Sequence, residues 1–283
     1  MAPLATDVGT DERIRSLLDG AADLPVLPDV AARVLNELRS PRVTASRLAE
    51  FVQKDPVLAS SILRVANSAL YGGRVEITDL SFAMVRIGLN QARNLVLANV
   101  LRSKLVDREV YGSVGPLLMD HALAVAFASQ LIEESAHRPW EEAFLCGLLH
   151  DFGFIALIKV LREAKGTNQN DAESLLAAAD RHHTVAGAML AHRWGLPEVV
   201  AVVARYHHEP FVVEGPARRV TAVVALADRI AHDLGLGHCP EEHTGDVVSA
   251  EARELVGISE MALSDIKVRL PGLFATARSA VAS

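Results

Sequence analysis

Apolar residues recur at helical spacing along most of this chain, and nowhere does an apolar–polar alternation run long enough to demand a sheet. The chain is therefore restricted to helices packed on helices. In "LPVLPDVAARVLNELRSP", Val30, Val34, Leu35 and Leu38 share one face. Pro28 suits the first turn, where its missing N–H costs nothing, and Pro41 ends the helix. Thr44 is an N-cap for "TASRLAEFVQKDP". Asp55-Pro56 starts a third helix that is expected to run to Gly72-Gly73. Thr78 precedes a short fourth helix, and Asn90 opens a fifth. A short helix over 11–18 follows a loose tail, 1–10. After a connector at 110–116, helices are expected near 117–135, 140–150, 153–163, 171–180, 183–194, 197–208 and 217–234. A polar loop spans 164–172, and Pro271 is expected to break the closing helices.

Composition agrees with an all-α chain. Half of the 283 residues are hydrophobic and only 5% aromatic, with Ala, Leu and Val dominant, so a large core can form from good helix formers. The net charge of −7 argues against broad, charge-driven nucleic-acid binding. A local basic segment, Arg86, Arg93, Arg102, Lys104 and Arg108, reads first as a solvated helix face. Cys146 and Cys239 make no disulfide framework and no CxxC, which suggests a reducing, cytoplasmic setting. No stretch reads as the roughly 20 apolar residues of a membrane span, and the N-terminus lacks a signal-peptide pattern.

Chemistry enters through the histidines and two acids. His121 lies among Leu118, Ala122 and Val125, on or beside a buried helix face. "CGLLHDFGFI" ends an apolar run in His150-Asp151. His182-His183 and His207-His208 follow at helix ends, and Asp228 interrupts the apolar helix "VTAVVALADRIA". A carboxylate buried in an apolar helix must be paired or bound to a cation. Mixed imidazole and carboxylate donors suit Mn, Fe, Zn or Mg, as one ion or two. The same residues could instead hydrogen-bond one another between helices. His137, His192, His232, His238 and His243 lack such context and read as surface or loop residues. Gly153 is expected to permit a tight turn or close helix approach, and Cys146 is expected in the core.

The order His121, His150-Asp151, Asp228 resembles the H…HD…D signature of the HD superfamily of metal-dependent phosphohydrolases. "HHTVAGAML" followed by "RYHHEP" is similar to part of the HD-GYP phosphodiesterases, which cleave cyclic di-GMP. "LPVLPDVAARVLNEL", "FVQKDPVLASSILRVANSALYGG" and "TDLSFAMVRIGLNQARNLVLANVL" resemble the N-terminal half of the HDOD domain. The resemblance covers about residues 20–235. It implies a two-lobe, multi-helical fold: tail 1–19, N-terminal lobe 20–109, HD-like lobe 110–235 and extension 236–283, whose role stays open. It also implies a signalling or regulatory protein, non-catalytic, acting through a protein partner or a nucleotide-type small ligand, with a retained metal site. With so few residues outside the HDOD unit, output is expected through its own contacts.

The alternative it implies is a phosphohydrolase acting on a nucleotide or cyclic dinucleotide. His121, His150, Asp151 and Asp228 would then hold one metal, with Asp151 bridging to a second held by His183, His207 and His208. Asp151 would be catalytic, with Lys159 or Arg205 offsetting developing charge. The Gly-Tyr-Pro that should follow HHE is absent, since the chain reads "HHEPFVVEGP". Cyclic di-GMP hydrolysis is not expected. A nucleic-acid-binding regulator using the Arg86–Arg108 face is a third reading, against which the overall acidity weighs. Oligomeric state is left open.

Overall fold

The computed structural model describes residues 26–27, 29–38, 44–72, 75–137, 142–165, 172–238 and 247–281. Among the described residues there are α-helices, one short 3-10 turn and no strand, as the periodicity requires. Expectations for 1–19, Pro28, Pro41, Gly73, the loop 166–171, Cys239 and His243 lie outside the described residues, as do the side chains of Val30, Val34, Leu38, Lys104 and Arg108.

The chain forms two compact units. One joins Leu27–Leu105 to Ser264–Ser283. It contains α1 (Asp29–Leu38), α2 (Ala45–Val52), α3 (Pro56–Ala66), α4 (Leu80–Ile87) and α5 (Leu89–Leu105). Local chemistry sets these limits. The Thr44 side chain accepts from the Arg47 amide, and Asp79 accepts from that of Phe82. Asp55 Oδ1 accepts from the amides of Val57 and Leu58 at 2.9 and 3.2 Å. Asp55→Ala should therefore cost about 1 kcal/mol, read as a melting shift of about 2–4 °C.

Two boundaries of this unit differ from the sequence expectation, and in the other unit helix occupies 110–111 and 114–116, where a connector is expected. Helix α3 stops at Ala66 rather than at Gly72, because the Asn67 side chain ties the chain beyond it to Ile77. Its Nδ2 donates to the Ile77 carbonyl at 2.8 Å, and its Oδ1 accepts from the Ile77 amide at 2.8 Å. Those bonds tether the exit strand of chain and offer the backbone an alternative to another turn. The closing helix, α15 (Glu260–Val281), runs through Pro271 instead of breaking there. Ile266, Leu270, Phe274, Ala277 and Ala280 form one buried stripe along it. That burial on both sides of Pro271 outweighs the lost helical hydrogen bond. The Oγ of buried Ser61, on α3, donates to the Ala280 carbonyl at 2.7 Å and ties the last helix to this unit.

The other unit, Val106–Leu263, carries the histidines. Its helices are α6 (Arg108–Tyr111), α7 (Val114–Ser135), α8 (Ala143–Leu149), α9 (Phe152–Lys165), α10 (Ala172–Asp180), α11 (His183–Arg193), α12 (Glu198–Tyr206), α13 (Ala217–Asp233) and α14 (Val247–Val256). A short 3-10 turn, Pro210–Val212, separates α12 from α13. Helix α7 is buried nearly all round and packs on α8 and α13, while α9 packs on α11 and α11 on α12. Two segments, Val114–Ser135 and Ala143–Arg162, are long and apolar enough to cross a membrane, contrary to the sequence expectation. They are 83% and 89% buried within the fold, which accounts for their composition as core.

Candidate metal centre

Five elements of this unit deliver the candidate residues. His121 sits mid-way along α7. His150 caps the C-terminus of α8, and Asp151 occupies the turn before α9 begins at Phe152. His183 is the first residue of α11, and His207 caps α12 with His208 next to it. Asp228 lies on the buried face of α13. The α9–α11 approach is made by Gly153. A Cβ placed there would collide with the His183 carbonyl and come 2.7 Å from the Gly187 amide nitrogen. Any side chain would push Asp151 and His183 apart.

All seven residues converge. Asp151 Oδ2 is 3.2 Å from His150 Nε2 and 3.8 Å from His121 Nε2. Its Oδ1 is 3.3 Å from His207 Nε2 and 3.5 Å from His183 Nε2. Asp228 Oδ1 lies 2.9 Å from His121 Nε2 and 3.8 Å from His150 Nε2. His183 Nε2 and His208 Nε2 face each other at 3.1 Å. Ligating atoms of Asp151, His183, His207 and His208 lie within 4.8 Å of one another, as do those of His121, His150 and Asp151.

The rings are turned inward by backbone bonds. The Nδ1 of His121 faces the Leu236 carbonyl at 3.3 Å, and that of His150 the Gly147 carbonyl at 2.8 Å. His183 Nδ1 faces the Asp180 carbonyl, and His207 Nδ1 those of Val203 and Ala204. A carbonyl accepts only, so each Nδ1 carries the proton and donates. A neutral ring then presents the Nε2 lone pair to the cluster, the second-shell arrangement that orients metal-ligating histidines. The Nε2 atoms of His150 and His207 and Oδ1 of Asp151 are buried without a well-formed hydrogen bond. Such atoms are costly to leave bare, and a divalent cation among them would satisfy all three. The donor set therefore fits a metal.

Electrostatics follows from the same packing. Burial penalises an imidazolium at His121, but the hydrogen bond and charge of Asp228, with Asp151, outweigh it and raise its pKa. His150 is raised likewise, with Asp151 as the stronger partner against burial. Burial also opposes ionisation of Asp151 and Asp228, yet neighbouring histidines hold both well below the ordinary carboxylate value. At the other end burial prevails and lowers His183 to about 4. Burial and the His207 charge lower His208 to about 2. The site thus has a proton-holding end and a proton-rejecting end, joined by Asp151.

Lys159 is not gathered in. It stands eight residues after Asp151, about 12 Å along the helix axis. Arg205 donates to Thr184 Oγ1 at 3.3 Å and lies over the Tyr206 ring, but makes no ion pair with the two acids. Cys146 is in the core, where burial pushes its thiol pKa up.

His232 corrects the sequence reading. It is no surface residue: its ring stacks on His121 at 4.7 Å, and its Nε2 is 3.4 Å from Asp228 Oδ1. Its signal was present in the sequence, because a residue four after Asp228 on a helix shares its face. His238 is half-buried beside Phe154, with ring centroids 6.1 Å apart, while His192 stays 58% exposed and His137 is exposed. Gly237, at φ +86°, backs directly onto the His121 backbone, which fixes the Leu236 carbonyl against that ring.

The sequence profile of the HDOD domain matches residues 24–210. The chain belongs to the HDOD family. An uncharacterised protein of Treponema pallidum (strain Nichols) is 28% identical over 214 residues, 70% of this chain. The chain spans only about two fifths of that relative's length, 40%. An HDOD domain protein of unknown function from Geobacter sulfurreducens is similar in structure, with a TM-score of 0.68 and 25% identity over 97% of this chain and 98% of that one. A Shewanella amazonensis SB2B protein, provisionally named a phosphohydrolase, gives a TM-score of 0.65 and 25% identity, covering 94% and 97% of the two chains.

Proposed function

We propose that this HDOD chain is a regulatory protein whose HD-like unit holds divalent metal and acts on a phosphate ester of nucleotide type. One observation carries the reading. The two oxygens of Asp151 face two separate imidazole groups, and every Nε2 in those groups is turned toward them. His121, His150, Asp151 and Asp228 would hold one ion, and His183, His207 and His208 a second. Bound ions would supply Lewis-acid activation of a water and a phosphoryl oxygen. Five imidazoles against two carboxylates favour Fe, Mn or Zn over Mg, which prefers oxygen donors.

This chain's own residues do the rest. The Nδ1–carbonyl bonds hold the rings ready. Asp151 and Asp228 stay ionised and supply the charge a cation needs. Side-chain exposure is 13% at Asp151, 10% at Asp228 and 11% at His232, against 0–3% at His121, His150, His183 and His207. That edge is where a phosphate could enter. The phosphohydrolase name of the Shewanella neighbour agrees with the reading. A protein partner in a signalling pathway is the other expected contact.

A second reading, an inter-helix polar network without catalysis, is favoured by the 2.9 Å contact of His121 Nε2 with Asp228 Oδ1, a hydrogen bond when that ring is protonated on both nitrogens. Purification without chelator separates the two. The metal reading expects about one to two equivalents of a first-row ion by elemental analysis, with slow Mn-dependent turnover of bis(p-nitrophenyl) phosphate. Protein that purifies bare and takes up no Mn or Zn belongs to the network.

Metal loading should also depend on pH. His121 and His150 have raised pKa values, so below the ordinary 6.5 both carry protons that an ion must displace. His183, at about 4, is already neutral there and releases none. The two acids remain ionised in that window. Affinity should fall about 100-fold per pH unit between about pH 6.5 and 5, a slope of two protons. Isothermal titration at three pH values measures that slope, and a flat profile would remove His121 and His150 from the ligand set.

A further inference from the structure

We propose that His232 is a metal ligand, and that with His121 and Asp228 it forms a seat sharing no residue with that of Asp151, His183, His207 and His208. The proposal rests on the metal reading above and changes its division of ligands. No HD-type signature position corresponds to His232. It enters through geometry alone.

His232 lies one helical turn beyond Asp228 on α13 and presents the same face. Its Nε2 is 3.4 Å from Asp228 Oδ1, and Asp228 Oδ1 is 2.9 Å from His121 Nε2. These are separations of neighbouring ligands on one ion when the bonds are about 2.0–2.2 Å. All three ligating atoms fall within 4.8 Å of one another. Two imidazoles and one carboxylate on one side, with the other side open, is a donor set that suits Fe, Mn or Zn.

His121 decides the division. Its Nδ1 is committed to the Leu236 carbonyl, so only Nε2 can ligate, and a ring nitrogen holds one ion. Its nearer co-ligands are Asp228 and His232, since His232 Nε2 is 3.4 Å from Asp228 Oδ1 and His150 Nε2 is 3.8 Å from it. The distances from His121 agree: its Nε2 is 2.9 Å from Asp228 Oδ1 but 3.8 Å from Asp151 Oδ2. His150 then stays with Asp151 Oδ2, at 3.2 Å, and its bare Nε2 faces the Asp151 ion. Asp151 directs Oδ1 to His183 and His207. The His121–Asp228–His232 seat lies at the partly exposed edge, where Asp228 and His232 meet solvent. It is the position from which an ion could meet an incoming phosphate.

Equilibrium dialysis of Mn2+ against the metal-stripped full chain tests this. Wild type is expected to hold two ions, and His232→Gln to lose one of them. His232→Glu, which restores a ligating oxygen, should hold both. His207→Gln should lose the other ion and keep the His232 one. Loss of an outer-shell orienting group weakens binding about 10–100-fold without removing a site, so a lost equivalent marks a ligand. His232→Gln with wild-type stoichiometry overturns the proposal and leaves the metal reading standing. Wild type that binds no Mn2+ overturns both. Should the Gln variant fail to fold by its thermal melt, the Glu variant decides: two ions support the seat, and one overturns it.

Discussion

Asp151→Asn should abolish Mn-dependent phosphodiester turnover and weaken binding of the ion it shares with His183, His207 and His208 by more than about 100-fold, beyond the range of an outer-shell partner. The substitution keeps the shape and removes the charge. In the wild type, Oδ1 is buried without a well-formed hydrogen bond, within 3.5 Å of two imidazole nitrogens. An ion there depends on that anion. The metal-free protein draws on it too, because the neighbouring histidines hold this carboxylate ionised against its desolvation cost. The variant's metal-free melting temperature should therefore fall below that of wild type while a folded baseline persists. The ion held by Asp151 should add about 2.7 kcal/mol to wild type at a hundredfold excess over its Kd, and the variant should lack that increment. Differential scanning fluorimetry with and without Mn2+ reads both. A variant that unfolds without metal would make Asp151 a structural residue and return the site to the polar-network reading.

What the sequence discloses about this site follows from where polar groups are costly. His150-Asp151 closes the apolar run of α8, and Asp228 breaks the apolar face of α13, so both stand out before any coordinates. His121 stands out for the same reason on α7. His232 carries only the weaker signal of its four-residue spacing from Asp228, because Arg229 and Asp233 beside it suit a solvated face. Its burial comes from α13 packing on α7, and its partner His121 is more than a hundred residues away. Lys159, a candidate for offsetting charge, carries no such signal of its own and lies about two turns beyond Asp151 on α9. Among the elements, Pro271 was read by local propensity, whereas tertiary burial along α15 carries the helix through it. The helical class itself was legible throughout, since period and composition point the same way.

Gly153→Val should cost more than about 3 kcal/mol, the upper end of ordinary overpacking, because the obstacle is backbone. At Gly153 the first added atom already meets the His183 carbonyl and the Gly187 amide, before the two methyl groups of valine are placed. Neither partner can rotate away as a side chain would. Helices α9 and α11 must separate, and His183 leaves Asp151 as they do. A loss of that size is a large share of the roughly 5–15 kcal/mol that holds a domain together, so the melt should drop by about 6–12 °C or show no folded baseline. Gly153→Ala, meeting the same atoms with one carbon, should already destabilise. Gly272→Ala is the control: it sits in helix α15 with nothing within 4 Å of a new Cβ, and should gain about 0.5–1 kcal/mol. An unchanged melt for Gly153→Val would mean that α9 and α11 do not approach as described. Asp151 and His183 could then not share an ion.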